Sequence, residues 1–310
     1  MEPESIKTVA VMGAGAVGSY FGAMLARAGV DVTLIGRAAH VAAIASHGLW
    51  FESLRLAGPV AIKASVDAAA VAGADLVLLA VKSGDTDSAA QAIAPHLSPG
   101  AVVLSLQNGI DNVERLRRHL TQPVLPALVY VAAALPAPGH LRHTGRGDLV
   151  IGDAAKLSQR LEASRLDAIA RVFETSAVPC RISAEIEIEL WTKLAINCAY
   201  NAISALGSSN YGRMVASPDV VALMHAATRE VVAVARASGV LLDEDAMIAT
   251  VDSLAPAMPQ QTSSTAQDIA RARATEIDHL NGYVTRRGEA QGVAVPVNRT
   301  LWTLVRLREG

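Results

Sequence analysis

Residues 190–206 carry three polar side chains spaced four apart, Lys193, Asn197 and Asn201, among neighbours that are almost all apolar. In a helix of 3.6 residues per turn these side chains share one stripe roughly 80° wide. An ammonium or amide buried without a partner costs on the order of several kcal/mol, so the stripe indicates the lining of a polar pocket. Lys193 could donate a proton there or stabilise a developing negative charge. The alternative is a row of hydrogen bonds between packed helices.

Near the start of the chain, Gly13, Gly15 and Gly18 are spaced G-x-G-x-x-G, between the apolar segment Thr8–Met12 and a helical pattern. In a dinucleotide-binding turn the first glycine permits the tight turn, the second admits the pyrophosphate and the third packs the helix on the sheet. The N–H groups and dipole of the helix N-terminus favour the anion. The sequence therefore predicts a dinucleotide site, with a purely structural turn as the alternative. The predicted contacts are the residues of this turn: Gly13, Ala14, Gly15, Ala16, Val17 and Gly18.

The end of the second predicted strand, Val32–Ile35, indicates which nucleotide binds. NAD sites place Asp or Glu there to bind the ribose hydroxyls. This chain instead continues with Gly36 and Arg37. Because a guanidinium can form a bidentate pair with a 2′-phosphate, the sequence predicts NADP(H). The alternative is that Arg37 is only a solvated loop residue.

Polar residues also follow two apolar segments, Asp75–Val81 and Ala101–Leu106, whose composition is typical of buried parallel strands. Ligands of open α/β sheets bind outside the carboxyl ends of the strands. We therefore expect Lys82 and Asn108 to face the same crevice as the pyrophosphate, although each could be an ordinary loop residue.

A second polar stripe is predicted on a long helix over Ser264–Ala290, with Ser264, Asp268 and Glu276 on one face. Glu276 could face Lys193, where a carboxylate would keep the ammonium charged while burial would oppose its charge. For Asp268 a solvated helix face is the favoured interpretation.

Strands and helices alternate through the first half of the chain, as in a parallel sheet covered by helices on both faces. The end of this alternating region is predicted to contain a strand at Val124–Ala134, a hairpin around Gly145–Gly147, a helix at Ser158–Thr175 and a strand at Cys180–Ile182. From residue 184 onward the patterns are helical. We therefore predict an α/β protein in which a Rossmann-type doubly wound sheet, residues 1–183, precedes an all-α domain, residues 184–310.

Composition limits the classes of protein and of partner. The chain has 310 residues, enough for two domains, and 51% of them are apolar, which allows a large core. The formal net charge of −2 argues against nucleic acid or an anionic membrane as the main partner. Two cysteines and the lack of a signal-peptide pattern favour a cytoplasmic protein without a disulfide framework or a metal site. A homodimer is compatible with the apolar second half.

Taken together, these residues resemble the ketopantoate reductase (2-dehydropantoate 2-reductase) family nearly from end to end. The similar blocks are GAGAVG, the strand end at Arg37, VKS at Lys82, LQNG at Asn108, ELWTKLAINCAYN and SSTAQDIARARATEIDHLNG. The last two blocks are long and specific.

The resemblance implies a role for each matched residue, with Lys193 as the general acid. The implied substrate contacts are Asn108, Asn197, Asn201, Ser264 and either Asn210 or Tyr211, between which the match is ambiguous. The implied cofactor contacts beyond the glycine turn and Arg37 are Lys82, Asn108, Ala133 and Glu276.

The implied reaction is the NADPH-dependent reduction of a small 2-oxo acid, in the first instance 2-dehydropantoate to pantoate in pantothenate and coenzyme A biosynthesis. The segment Leu128–Ala133 is apolar where the family often has Thr and His, and Tyr211 would make the pocket bulkier. A reductase of a bulkier or less polar 2-oxo acid or ketone is therefore the alternative. A second alternative, a non-catalytic NADP(H) sensor, predicts loss of the general acid, which is present here.

Overall fold

The computed structural model of the protein describes residues 5–54, 56–153 and 161–309. The chain divides into two compact units. The α/β unit comprises Met1–Gln107 and Asn112–Ile186, and the helical unit comprises Asn108–Asp111 and Glu187–Gly310. The chain thus enters the helical unit early, for the four residues Asn108–Asp111, which we call the crossing segment. The sequence patterns do not predict this excursion.

The described part of the α/β unit contains strands that belong to one mixed sheet. These are β1 (Thr8–Met12), β2 (Asp31–Ile35), β3 (Leu49–Glu52), β4 (Ala57–Val60), β5 (Lys63–Ser65), β6 (Leu76–Leu79), β7 (Val102–Ser105), β8 (Val124–Ala137), β9 (His140–Ile151) and β10 (Cys180–Ile182). Its helices are α1 (Ala16–Arg27), α2 (Ala38–His47), α3 (Thr86–Ile93), α4 (Asn112–Arg117) and α5 (Ala163–Thr175). Short 3₁₀ turns lie at Ala68–Val71, Ser83–Asp85 and Ala94–His96.

The sheet runs in the order β4-β3-β9-β8-β7-β6-β1-β2-β5, with β10 paired to β9. The pairs from β5 through β2, β1, β6 and β7 to β8 are parallel, whereas β8 pairs with β9 and β3 with β4 in antiparallel fashion. All residues of β6 and β7 are buried, as a parallel sheet covered on both faces requires. The predicted fold class is confirmed.

Alternation along the central strands fills a separate core on each face of the sheet. Leu76 and Leu78 of β6 belong to one hydrophobic cluster with Phe21 of α1. Val77 and Leu79 belong to a second cluster with Ile93 of α3. Because successive side chains of a strand point to opposite faces, one short apolar run anchors helices on both sides.

The predicted hairpin around Gly145–Gly147 is wrong. The antiparallel turn between β8 and β9 lies instead at Pro138-Gly139, where Gly139 has φ +72°. Gly147 lies within β9, and a Cβ there would be 2.0 Å from the Tyr20 hydroxyl oxygen. This glycine therefore allows a close approach to α1 inside a strand, and its neighbour Arg146 (φ +51°) accompanies a shift in register.

The helical unit contains the long α6 (Ile186–Leu206), which begins at the last residue of the α/β unit. The helices that follow are α7 (Tyr211–Val215), α8 (Pro218–Ala237), α9 (Glu244–Ala257), α10 (Ser264–Ala270), α11 (Asn281–Gln291) and α12 (Pro296–Glu309). Residues of α6 enter three hydrophobic clusters, represented by Trp191, Tyr200 and Ala202. This helix therefore shares hydrophobic clusters with residues of α7, α8, α9, α11 and α12.

The predicted continuous helix over Ser264–Ala290 is also wrong. The structure has α10, then a 3₁₀ turn at Ile277–His279, then α11. Ala272 adopts φ +51° just after α10, and its N–H donates to the Ile269 carbonyl, which ends the helix. Ser264 and Glu276 therefore do not share a helical stripe.

The predicted helix Ser158–Thr175 corresponds to α5, which begins at Ala163, and residues 158–160 lie outside the described residues. Along the described ranges, no helix is both long and apolar enough to cross a membrane.

Buried His40 of α2 joins three elements of the α/β unit. Its Nδ1 accepts a hydrogen bond from the Gly139 N–H at 2.9 Å, and its Nε2 lies 3.3 Å from the Ser19 hydroxyl of α1. An acceptor at Nδ1 requires the neutral ring, and burial lowers the pKa of His40 below its ordinary 6.5.

We expect this histidine to make the fold acid-sensitive. Below about pH 6.5 the unfolded chain takes up a proton at residue 40 that the folded chain resists, so stability present above that pH is lost as the pH falls. Chemical denaturation at pH 7.5 and 5 should show a smaller acid-induced loss in His40→Asn than in the wild type. Exposed His47, on the same helix, provides the control His47→Asn, which should lose as much as the wild type; equal losses in all three proteins would contradict the assignment.

Candidate active site

The glycine turn between β1 and α1 has room for a ligand at one position and none at two others. Gly13 has φ +108°, and a Cβ there would lie 2.5 Å from the Val81 nitrogen. A Cβ at Gly18 would lie 2.2 Å from the Gly13 carbonyl oxygen. At Gly15, by contrast, a Cβ would meet no described atom within 4 Å. The turn is thus closely packed at Gly13 and Gly18 and open at Gly15.

This open position coincides with the start of α1. Gly15 is the N-cap and makes no side-chain capping bond, and residues 16–19, all of them described, include no carboxylate. The first N–H groups of a helix lack intrahelical partners and attract anions. These features fit a bound pyrophosphate.

Arg37 lies beside this turn, at the end of β2. A Cβ at Gly36 would be 2.7 Å from the Ala14 Cβ, and the Ile35 carbonyl accepts hydrogen bonds from the N–H groups of Gly13 and Ala14. The Arg37 side chain is exposed and makes no hydrogen bond or ion pair with any residue that the structure describes. A guanidinium that has no partner among the described residues, next to a helix N-terminus that attracts anions, can take a further phosphate.

Two loops follow the carboxyl ends of β6 and β7, and a buried amide connects them. Gln107 donates from Nε2 to the Val81 carbonyl at 3.1 Å and to the Thr86 hydroxyl at 2.7 Å. Its Oε1 accepts a hydrogen bond from Ser105 at 3.1 Å. Exposed Lys82 follows Val81 directly, so this amide fixes the backbone next to that lysine.

The same network continues to the start of α4. The Thr86 hydroxyl lies 2.8 Å from Asn112 Oδ1, and Asn112 Nδ2 donates to the Ser83 hydroxyl at 3.2 Å. Ser83, Thr86 and Asn112 are essentially inaccessible to solvent. Gln107 and Asn112 flank the crossing segment on either side. The sequence patterns did not predict this network. The polar residues that follow two buried strands were the one feature of the sequence that could have indicated it.

Ala133 lies on the distal part of β8, beyond the residues that pair with β7. β7 pairs with Val124–Pro126, and the later residues of β8 pair with β9, with a register shift between Ala132 and Ala133. Ala133 is half-buried and opposite His143. It therefore lies past the carboxyl end of β7, and its contact with the cofactor stays a prediction.

In the helical unit, the three members of the polar stripe differ in exposure. Lys193 and Asn197 are half-buried, whereas Asn201 is 4% exposed. Cys198, beside them, is fully buried in the core, which raises its pKa, so this thiol is not a nucleophile. The stripe thus runs from partly solvated at its lysine to enclosed at its last amide.

The start of α10 is tied to this end of α6. Ser263 caps α10 by accepting a hydrogen bond from the Ala266 N–H at 3.0 Å, and it donates to the Asn201 carbonyl at 3.1 Å. The Ser263 N–H donates to the Ser204 hydroxyl at 3.2 Å. Exposed Ser264 is the next residue after this anchor, so it lies one residue from the hydrogen bond to Asn201; its contact with substrate stays a prediction.

Asn108 and Glu276, both members of the helical unit, are in contact. Asn108 Nδ2 donates to Glu276 Oε2 at 3.2 Å. The sequence proposed both residues for the cofactor but did not predict their hydrogen bond. That Glu276 faces Lys193 stays a prediction.

Of the ambiguous pair, Asn210 has the more accessible side chain. It caps α7, with Oδ1 accepting a hydrogen bond from the Arg213 N–H at 2.9 Å. Tyr211 is buried with its ring 4.6 Å from that of Tyr200, and burial raises the pKa of Tyr211 to about 12. Tyr211 is therefore a core residue in this structure.

Comparison with known proteins identifies the family over both halves of the chain. Residues 9–156 match the family described as ketopantoate reductase PanE/ApbA, and residues 185–309 match its C-terminal domain. A 2-dehydropantoate 2-reductase of Halobacterium salinarum is 34% identical over 97% of this chain and 98% of its own length. That of Vibrio cholerae is 33% identical over 97% of each chain.

Solved structures agree with this assignment. A PanE/ApbA family ketopantoate reductase from Ralstonia eutropha is 49% identical, with a TM-score of 0.90 over 97% of this chain and 98% of its own. D-mandelate dehydrogenase in a ternary structure with NADH and anilino(oxo)acetate is 26% identical, with a TM-score of 0.88 over 97% and 98% of the two chains. The two-domain match and the full-length relatives lead to one conclusion: this chain belongs to the ketopantoate reductase family, oxidoreductases that act on a keto group.

Proposed function

We propose that this protein reduces 2-dehydropantoate to pantoate with NADPH, a step of pantothenate and coenzyme A biosynthesis. The observation that carries the proposal is the graded polar stripe of Lys193, Asn197 and Asn201 on α6, in a chain matched over its length by 2-dehydropantoate 2-reductases. Lys193 and Asn197 are partly exposed, and the last amide, Asn201, is the most enclosed member. Such a stripe suits a small anionic ligand with a reactive keto group.

The residues present fit the cofactor. The opening at Gly15, the N-terminus of α1 and Arg37, which pairs with none of the residues that the structure describes, together offer donors for a pyrophosphate and a 2′-phosphate. Lys82, Ala133, Asn108 and Glu276 are proposed to contact the nicotinamide half. When bound, the cofactor supplies the hydride that reduces the keto carbon.

The chain itself supplies the proton and the orientation. Lys193 donates a proton from Nζ to the keto oxygen as negative charge develops there, and its ammonium charge stabilises that oxygen beforehand. The lysine then regains a proton from solvent. Asn197, Asn201 and Ser264 hydrogen-bond the carboxylate and hydroxyl of the substrate, with Asn210 as a further contact. No step requires a metal ion.

A second candidate is the reduction of an aromatic or otherwise bulkier 2-oxo acid. Two observations favour it: the apolar segment Leu128–Ala133 of β8, and the similarity to D-mandelate dehydrogenase, whose structure holds anilino(oxo)acetate. A non-catalytic NADP(H) sensor is the third candidate, and the retained Lys193 argues against it.

NADPH consumption with a panel of 2-oxo acids separates these candidates. With 2-dehydropantoate, 2-oxoisovalerate and benzoylformate as substrates, we expect the highest kcat/KM for 2-dehydropantoate, because polar amides on α6 suit its hydroxyl and carboxylate. A preference for benzoylformate would support the second candidate. Tight NADPH binding without turnover of any substrate would support the sensor.

A further inference from the structure

The crossing segment and a short turn of the helical unit are joined by two parallel hydrogen bonds. Asn108 donates to Glu276 at 3.2 Å, and three residues later on each side His279 Nδ1 and Asp111 Oδ2 are 2.9 Å apart. The spacing of three matches the 3₁₀ turn Ile277–His279, in which side chains three residues apart lie above one another. The two bonds therefore link the same two backbone segments, and we call Asn108–Glu276 the first rung and Asp111–His279 the second rung.

Between the rungs, the two backbones are in close contact at a glycine. Gly109 has φ +90°, and a Cβ there would lie 2.9 Å from the His279 carbonyl oxygen and 3.3 Å from Asp111 Oδ1. The next residue, Ile110, packs against the hydrophobic cluster that contains Leu194 and Leu280. The crossing segment thus contacts the turn Ile277–His279 through its backbone as well as through its side chains.

The second rung is enclosed. The Asp111 and His279 side chains are 12% and 14% exposed, and Asp111 Oδ1 is buried without a hydrogen bond from any described residue. The carboxylate accepts, so Nδ1 of the imidazole carries the proton that is donated. Loss of His279 would leave a buried carboxylate with neither oxygen compensated among the described contacts, which is unfavourable unless the segment moves towards water.

We propose that Asp111 and His279 are positioning residues for the reductase: their hydrogen bond holds the crossing segment on the turn, so that Asn108 and Glu276 stay in register for cofactor and substrate. This inference rests on the proposed function, which assigns contacts to Asn108 and Glu276. Asp111 and His279 are not themselves proposed to touch either ligand. Neither residue is among the site residues predicted from the sequence.

Paired substitutions at position 279 test the proposal. In His279→Asn the side-chain amide nitrogen is as many bonds from Cα as Nδ1, so it can still donate to Asp111, whereas His279→Ala removes the donor. His225 provides the control, since it forms another histidine–aspartate pair in the helical unit, with Asp252 at 2.7 Å. Gly109→Ala tests the backbone contact separately, because its Cβ would collide with the turn.

We expect His279→Ala and Gly109→Ala to lower kcat/KM by about 10–100-fold, because displacement of a contacting group by an ångström has effects of that size. His279→Asn and His225→Ala should stay within about threefold of wild type, because the first keeps a donor to Asp111 and the second removes one hydrogen bond that has no role at the proposed site. Amide hydrogen exchange of the crossing segment should be about tenfold faster in His279→Ala than in His279→Asn, as expected when a local contact is lost.

The possible outcomes are distinct. Equal exchange of the crossing segment in wild type and His279→Ala overturns the proposal. Faster exchange with kcat/KM unchanged also overturns it, because the pair would then be purely structural. If the wild type turns over none of the 2-oxo acids, the proposed function fails instead. The exchange data and the NADPH dissociation constants of the same variants then test the pair without any turnover: weaker NADPH binding in His279→Ala than in His279→Asn supports positioning, and equal binding overturns it.

Discussion

Lys193→Ala should lower kcat for 2-oxo acid reduction by about 10²–10⁴-fold, the usual contribution of a general acid. Loss of the ammonium charge that stabilises the developing alkoxide adds to this effect. The NADPH dissociation constant should change little, because the role assigned to Lys193 is exerted on the substrate oxygen. Stopped-flow or steady-state kinetics together with fluorescence titration of NADPH measure both quantities.

The controls for Lys193 come from the same helix and the same position. Thr192 is the adjacent residue of α6 and bonds the Ile188 carbonyl at 2.8 Å, so Thr192→Ala perturbs the helix without touching the stripe. It should keep kcat within about threefold of wild type, as expected for loss of one ordinary hydrogen bond. Lys193→Arg should recover only part of the activity, because guanidinium holds its proton too tightly to donate it. A folded Lys193→Ala protein, checked by circular dichroism, with near-normal kcat would refute the assignment.

Arg37→Ala should abolish most of the preference for NADPH over NADH. A charge-assisted pair with a 2′-phosphate contributes about 1.5–3 kcal/mol, so the wild type should bind NADPH at least about tenfold more tightly. NADH lacks that phosphate, and its affinity should be nearly the same in wild type and variant. Calorimetric or fluorescence titration of both nucleotides gives the four dissociation constants.

The choice of control for Arg37 separates a local contact from a change of net charge. Arg118 of the same unit is exposed and paired with Glu114 at 2.8 Å, and Arg118→Ala removes one positive charge far along the chain from the glycine turn. It should leave the nucleotide preference intact. If the wild type binds both nucleotides equally, the prediction of NADPH specificity is wrong. Tighter binding of NADH would instead point to the nucleotide found in the structure of D-mandelate dehydrogenase.

Features that depend on local periodicity and on backbone geometry could be predicted from the residues alone. The spacing of Gly13, Gly15 and Gly18 required one residue with positive φ and one without room for a Cβ, and the structure has both. Uninterrupted apolar runs produced β6 and β7, and a four-residue repeat placed Lys193 and Asn197 on one face of α6. Such signals lie within a few turns of chain and need no partner to be recognised.

Local sequence patterns gave wrong predictions at two places, where the chain adopts a different conformation from the one that the pattern favours. The glycines at 145–147 resemble a turn, but Gly147 is needed for contact with Tyr20 inside β9. The helical pattern after Ser264 continues in the sequence as far as Ala290, but Ala272 adopts a left-handed conformation and ends α10. At Gly147 tertiary packing outweighed local propensity, which amounts to only a fraction of a kcal/mol per residue. At Ala272 a single left-handed residue was enough to end the helix.

The hydrogen bonds that hold the predicted site residues in place join parts of the chain that are far apart in sequence. The crossing segment joins the helical unit through Asn108–Glu276 and Asp111–His279, each a pair separated by 168 residues. Gln107 and Thr86 meet across 21 residues at the ends of neighbouring strands. Contacts at such separations follow from the order of strands and the packing of helices, so no periodicity in the sequence announces them. The amino-acid sequence therefore identifies which side chains can donate a proton or bind a ligand, whereas the fold selects the partners that keep those side chains in place.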